Sequence, residues 1–161
     1  YFNACGAGRN SNLGEDHRPE SHLIPRVIQA AMGKRPQIKI YGTDYPTPDG
    51  TCVRDYIHID DLCRAHLLAL NSLDQNHELV YNLGNGKGFS VKEVIETVKQ
   101  VSGKDFKVVE ADRRPGDAPI LICDATKVKN ELGWEPELPQ LETMVATAWQ
   151  WHNQHPDGYT D

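Results

Sequence analysis

At 161 residues the chain is long enough for one compact unit with its own core and too short for two full domains. With 39% hydrophobic and 25% charged residues it has the make-up of a globular protein, not of a disordered or fibrous one. A net charge of -6 without a basic cluster argues against nucleic acid as a partner, and apolar stretches far below spanning length argue against a membrane segment.

Tyr1-Phe2-Asn3-Ala4-Cys5 reads as the end of a buried strand, and Gly6 to Arg18 is a Gly/Asn-rich loop. A helix is predicted over Leu23 to Met32, capped by Ser21, with Pro25 tolerated in its first turn and Gly33 as the stop. Gln37 to Tyr41 alternates polar and apolar residues, the pattern of a strand with one wet face. A turn-rich stretch from Gly42 to Gly50 leads to a second strand, Val53 to Ile59. Asp60 or Asp61 can cap the next helix, whose apolar side is Leu62, Ala65, Ala69, Leu70 and Leu73. Leu79 to Leu83 reads as a short strand closed by Gly84-Asn85-Gly86, with the glycine-rich stretch to Gly88 as a loop. Ser90-Val91-Lys92-Glu93 is a capping box, opening a helix with a stripe of Val91, Val94, Ile95, Val98 and Val101 that ends at Gly103. Phe106 to Glu110 and Ile120 to Cys123 read as strands. Asp124 can cap a short helix ending at Leu132 and Gly133, and a last helix spans Leu141 to Trp151. Strands alternate with helices, which defines the class as α/β.

The four cysteines, Cys5, Cys52, Cys63 and Cys123, form no CxxC pair. Reduced thiols in a cytoplasmic protein are the expectation, and neither a disulfide framework nor a zinc site or other metal site is expected. The chain opens at Tyr1 already within a strand, so a fragment of a longer protein is expected.

Two segments carry cations suited to phosphate. Gly50-Thr51-Cys52-Val53-Arg54-Asp55-Tyr56-Ile57-His58 holds one arginine, and Arg113-Arg114-Pro115-Gly116-Asp117 sets arginine at a tight turn beside a carboxylate. The planar guanidinium donates two parallel hydrogen bonds and stays charged, which fits a diphosphate; the carboxylate could accept ribose hydroxyls. Taken singly, each arginine reads better as a solvated surface residue, since surface charges are common.

The run Tyr41-Gly42-Thr43-Asp44-Tyr45-Pro46-Thr47-Pro48-Asp49-Gly50-Thr51-Cys52-Val53-Arg54-Asp55-Tyr56-Ile57-His58-Ile59-Asp60-Asp61-Leu62 changes those odds. It resembles the signature stretch of the UDP-glucose (UDP-galactose) 4-epimerases, of the extended short-chain dehydrogenase/reductase family. Tyr1-Phe2-Asn3, Tyr81-Asn82-Leu83-Gly84, Arg113 to Asp117 and His155-Pro156-Asp157-Gly158-Tyr159 also match, in family order over nearly the whole chain. The resemblance implies the fold: a small mixed substrate-binding domain, plus the last strands and helices of a doubly wound NAD-binding domain whose N-terminal part is absent. Segments of about 1–5 and 55–85 would belong to that NAD-binding half.

It also implies roles. Asn3 would hydrogen-bond the diphosphate or the sugar, and Phe2 would lie beside the nicotinamide of NAD. His22-Leu23 stands where the family usually has Asn-Leu, near a phosphate; the histidine departs from that pattern, while a helix N-terminus there still offers N–H groups. Lys39, Ile40 and Tyr41 would line the uracil. Arg54 and Arg114 would clamp the diphosphate, and Asp117 would bind the ribose. Leu121 falls where a bulky Tyr excludes N-acetylated sugars, and its intermediate size implies tolerance of UDP-N-acetylglucosamine.

The implied reaction of the parent interconverts UDP-galactose and UDP-glucose, a step of galactose metabolism: a tyrosinate takes the O4 proton and NAD the C4 hydride. No Gly-rich NAD loop and no Tyr-xxx-Lys pair is found in this chain, so the chain alone is expected to be inactive. A homodimer is implied for the full-length enzyme. Two other readings stay open: part of a UDP-uronate epimerase or 4,6-dehydratase, or a non-catalytic nucleotide-sugar-binding module. His152 and His155 read as a wet helix end rather than metal ligands, and His58 with Asp60 and Asp61 as strand and cap rather than an acid-base site.

Overall fold

The longest strand divides the molecule into two cores. In the computed structural model, which describes residues 1–10, 12–73 and 78–159, this is β3, Val53–His58. Successive side chains on a strand face opposite sides. Tyr56 therefore enters a core built with helices α1 (Leu23–Ala31), α3 (Val91–Ser102) and α5 (Leu141–Gln154), whereas Ile57 enters a second core with Leu62, Ala65, Val128 and Trp134.

The C-terminal half of β3 pairs in parallel with β1 (Asn3–Cys5), with Asn3 opposite Tyr56. Its N-terminal half pairs antiparallel with β4 (Gly88–Ser90) and in parallel with β6 (Ile120–Leu121). A separate two-stranded parallel sheet joins β2 (Ile38–Tyr41) to β5 (Val108–Ala111). Helices α2 (Ile59–Ser72) and α4 (Thr126–Leu132) cover the second core. Strands and helices thus mix as the α/β class requires. Among the described residues no helix is long and apolar enough to cross a membrane.

Several local expectations shift. The cap position of α1 is His22 rather than Ser21, and the bond comes from Glu20, whose carboxylate accepts the His22 N–H at 2.7 Å. β3 runs into α2 with no intervening residue, so the cap is its last residue, His58. The His58 Nδ1 accepts the Asp60 N–H at 3.1 Å, and neither Asp60 nor Asp61 caps. On α2, Leu62 and Ala65 are buried, but Leu70 and Leu73 are exposed, as is Leu67. Ala125 holds the cap position of α4, although Asp124 does accept the Thr126 N–H at 2.9 Å.

The segment Leu79 to Leu83 is not a strand. Among the described residues its one backbone bond toward the sheet, from Phe2 N–H just before β1 to Leu83 O at 2.9 Å, is too little for a ladder. β4 lies in a stretch read as loop, because three residues including a glycine give no periodicity. That glycine is required: a Cβ on Gly88 would lie 2.3 Å from Val53 Cγ1. The capping box of α3 forms as expected, with Gly103 in the left-handed conformation at its end.

Candidate functional site

A cleft of about 780 Å3 opens along β1 and the loops that follow it. Strand pairing sets its polar floor. Asn3 stands opposite Tyr56, and Arg54 stands opposite Leu121 on β6, so the cleft collects Phe2, Asn3, Arg54 and Leu121 from three points of the sequence. His22, at the start of α1, completes this set of expected residues. Arg54 is the one arginine or lysine among the described residues that line it.

Arg54 is held rather than free. Its Nη1 donates to Val53 O at 2.8 Å, and its Nη2 meets Asp117 Oδ1 at 3.4 Å with only 17% of the side chain exposed. Asp117 also takes Arg114, whose Nε donates to Oδ2 at 2.8 Å. Arg114 in turn lies over the Tyr41 ring, 5.0 Å from its centroid. Arg54, Asp117, Arg114 and Tyr41 therefore form one continuous arm leading from the cleft to the β2–β5 sheet. Arg113, by contrast, is tied to Asp44 at 2.6 Å and lies over the Tyr45 ring, away from this arm.

The remaining expected residues fall unevenly. Lys39 is exposed on β2, whereas the Ile40 side chain is buried in the core, so only its backbone could face a ligand. The Asn3 Nδ2 donates to Asp55 O at 2.6 Å, which fixes its amide. The His22 N–H is occupied by Glu20, and Pro25 has no N–H. Leu23 and Ile24 therefore supply the orphan donors of this helix start, with no acceptor for either among the described residues.

Two functional supports escaped sequence reasoning. Asp55 is fully buried and acts as an acceptor hub: Oδ1 takes the Asn85 N–H at 2.7 Å, and Oδ2 takes the Gly86 and Cys123 N–H groups at 2.9 and 3.0 Å. It ties the loop after Leu83 and the end of β6 to the strand that carries Arg54. Asp61, also fully buried, accepts the Glu137 and Leu138 N–H groups at 2.9 Å each. An Asp between Val53 and Ile57 on one face of β3 was the available signal for Asp55. The four cysteines are free, and burial pushes the Cys123 thiol up to about 11, far from the reactive range.

Residues 1–147 match the family described as GDP-mannose 4,6 dehydratase, and the chain belongs to that family. Within it, the chain is similar to UDP-glucose 4-epimerases. It is 55% identical over 161 residues to the one from Halalkalibacterium halodurans, covering 99% of this chain and 48% of the relative. The crystal structure of the Bifidobacterium longum UDP-glucose 4-epimerase in complex with NAD+ and UDP superposes with a TM-score of 0.92 at 41% identity, over 99% of this chain and 48% of that one. The UDP-Glc/GlcNAc 4-epimerase of Campylobacter jejuni superposes with a TM-score of 0.81 at 48% identity, over 96% and 47% respectively. The chain thus spans about half the length of the relatives it matches.

Proposed function

We propose that this chain is the UDP-sugar-holding part of a UDP-glucose 4-epimerase. The observation that carries the reading is the arm of Arg54, Asp117 and Arg114, whose first member, Arg54, lines the same cleft as Asn3 and Leu121. In this reading the two guanidiniums clamp the diphosphate, and Asn3 offers its oriented amide to the diphosphate or the hexose. Leu23, with its free N–H, meets a phosphate beside His22. Tyr41, with the Lys39 and Ile40 backbone, borders the uracil, and Asp117 accepts from the ribose. UDP is the remote, non-reacting portion of the substrate, so gripping it firmly positions the hexose for reaction.

NAD, when bound, supplies the hydride acceptor. The residues here fit only the edge of such a cofactor: Tyr1, Phe2, Leu13, Ile59 and Cys63 give the cleft apolar walls, and among the described lining residues Arg54 is the one arginine or lysine that a dinucleotide's pyrophosphate could use. Phe2 would border the nicotinamide. Segments 1–5 and 55–85 are assigned to the NAD-binding half, although 74–77 lie outside the described residues. The exposed Leu67, Leu70 and Leu73 of α2 accord with that assignment, since the remaining half of a longer enzyme would cover them. A cytoplasmic, homodimeric parent completes the proposal, and this chain alone would turn nothing over.

The family-level description names a dehydratase. The epimerase reading is preferred because relatives at 47–55% identity carry the name UDP-glucose 4-epimerase and because of the Tyr45 to Thr51 run. Product analysis of the longer enzyme separates the two. The half-exposed Leu121 leaves room for an N-acetyl group; turnover of UDP-N-acetylglucosamine at under about a hundredth of the UDP-galactose rate would exclude it.

Calorimetric titration of UDP into the chain tests the clamp. Binding should weaken at least tenfold, about 1.4 kcal/mol, in Arg54→Ala. Equal affinity in the variant would sink the assignment.

A further inference from the structure

Four metal-ligating side chains converge beside the cleft, from one short stretch of chain. Glu15, His17, Glu20 and His22 each present one nitrogen or carboxylate oxygen, and these atoms all lie within 4.8 Å of one another. His22 Nδ1 stands 2.6 Å from Glu15 Oε1 and 3.0 Å from Glu20 Oε1, and His17 Nδ1 stands 3.7 Å from Glu20 Oε1. The two imidazole centroids are 5.0 Å apart.

This is not an ordinary solvated patch. The Glu20 side chain is only 5% exposed, yet among the described residues neither Glu15 nor Glu20 pairs with a lysine or arginine. The nearby cations are committed elsewhere, Arg18 to Asp16 and Lys34 to Asp157. A nitrogen lone pair and a carboxylate oxygen repel at 2.6 Å unless a proton or a metal cation lies between them.

We propose that Glu15, His17, Glu20 and His22 form a binding site for a divalent transition metal, with zinc as the best fit. Two imidazoles and two carboxylates are a nitrogen–oxygen donor set that zinc takes tetrahedrally, with bonds of about 2.0–2.2 Å. Such bonds put neighbouring ligand atoms about 3.4 Å apart. The observed separations of 2.6, 3.0 and 3.7 Å bracket that value, so small side-chain rotations complete the sphere. Calcium and magnesium want six or more oxygens, which this set does not offer. The cation would neutralise two carboxylates that otherwise meet only histidines.

Glu15, His17 and Glu20 also line a second cavity of about 300 Å3, which gives the ion an entry path. The role that follows is a clip. All four ligands lie within eight residues, and His22 is the cap position of α1, so the metal fastens the loop to the first turn of that helix. Glu15 and His22 line the main cleft as well, so the clip stiffens its wall. The inference does not depend on what the cleft binds.

The test titrates Zn2+ into the chelator-treated chain against a chromophoric chelator, with Cys63→Ser as the control for an exposed thiol. One equivalent is expected to bind, unchanged in Cys63→Ser. His17→Ala and Glu20→Gln are each expected to weaken it at least about 100-fold, the upper end of what loss of an outer-shell partner alone costs. Absence of stoichiometric binding, wild-type affinity in His17→Ala, or loss in Cys63→Ser would each overturn the proposal. Co2+ substitution of the unmutated chain gives a readout that needs no variant to fold. Four-coordinate d–d bands without thiolate charge transfer support the site, and a thiolate band or an octahedral spectrum refutes it.

Discussion

Replacing Asp55 by Asn keeps the shape of the side chain and removes half of its accepting capacity. Asp55 takes three backbone N–H groups, Asn85 on Oδ1 and Gly86 and Cys123 on Oδ2. The best orientation of an Asn keeps its oxygen on Gly86 and Cys123 and turns its NH2 toward the Asn85 N–H, donor against donor. One charge-assisted bond of about 1.5–3 kcal/mol is lost, and two others fall to neutral strength. Relief of a buried charge offsets part of this, leaving a net loss of about 2–3 kcal/mol. At roughly 2–4 °C per kcal/mol for a chain of this size, Tm should drop by about 5–10 °C. Asp55→Ala leaves all three N–H groups without a partner; since Gly86 is exposed and Asn85 half-buried, about 3–5 kcal/mol is expected. Urea unfolding of the three proteins measures both, read as a shift in midpoint at constant slope. An Asn variant within about 0.5 kcal/mol of the parent would refute the idea that an anion organises this loop.

Two further outcomes follow from the same region and its neighbour. Gly84 has no room for a side chain: a Cβ would lie 2.4 Å from Cys123 Cβ and 2.9 Å from Asp55 Oδ2. Gly84→Ala should therefore cost about 1–3 kcal/mol in urea unfolding, and an unchanged midpoint would show that the loop yields freely. His58 is fully buried, its Nδ1 accepting from Asp60 and its Nε2 3.0 Å from Thr147 Oγ1, so it is held neutral; burial pushes its pKa below 6.5, against the pull of Asp60 and Asp61. Below pH 6.5 the unfolded chain takes up a proton that the native imidazole refuses, so stability should fall from there downward until the native pKa is passed. His58→Gln should flatten that part of the pH profile, and an equally steep profile in the variant would assign the loss to other groups, such as His152, whose pKa is also lowered by burial.

Elements with a strong period or an explicit cap were legible in the sequence: the α3 capping box and stripe, the alternation of β2, and the α5 helix, which runs three residues past Trp151. What was not legible depends on contacts far apart in the chain. β4 exists because Val53 to Asp55 offers it a partner, not because Gly88-Phe89-Ser90 has strand character. Leu79 to Leu83 has that character and, among the described residues, finds only one backbone–backbone bond. The same holds in the site. The resemblance paired Arg54 with Arg114, but the contact that joins them through Asp117 is 3.4 Å long and spans 63 residues, which no local pattern shows. The Glu15 to His22 cluster has no recognisable ligand spacing, and a bend of the loop brings it together.

That joining bears on how the cleft can bind an anion. The chain carries a net charge of -6, so attraction of a diphosphate must come from a local field rather than the whole surface. Asp117 halves that field, because two guanidiniums share one carboxylate. In return it holds both forks before any ligand arrives, so less side-chain freedom is lost on binding. The two arginines then differ in kind. Arg54 is anchored to its own backbone and largely buried, whereas Arg114 is 59% exposed and can leave Asp117 at little electrostatic cost. On the proposed reading, a phosphate would meet Arg54 as a fixed post and draw Arg114 across to it. Asp117 would then be released from Arg114, leaving one carboxylate oxygen free to accept from the ribose hydroxyls. Clamping the diphosphate and recognising the ribose would in this way be one rearrangement of three side chains.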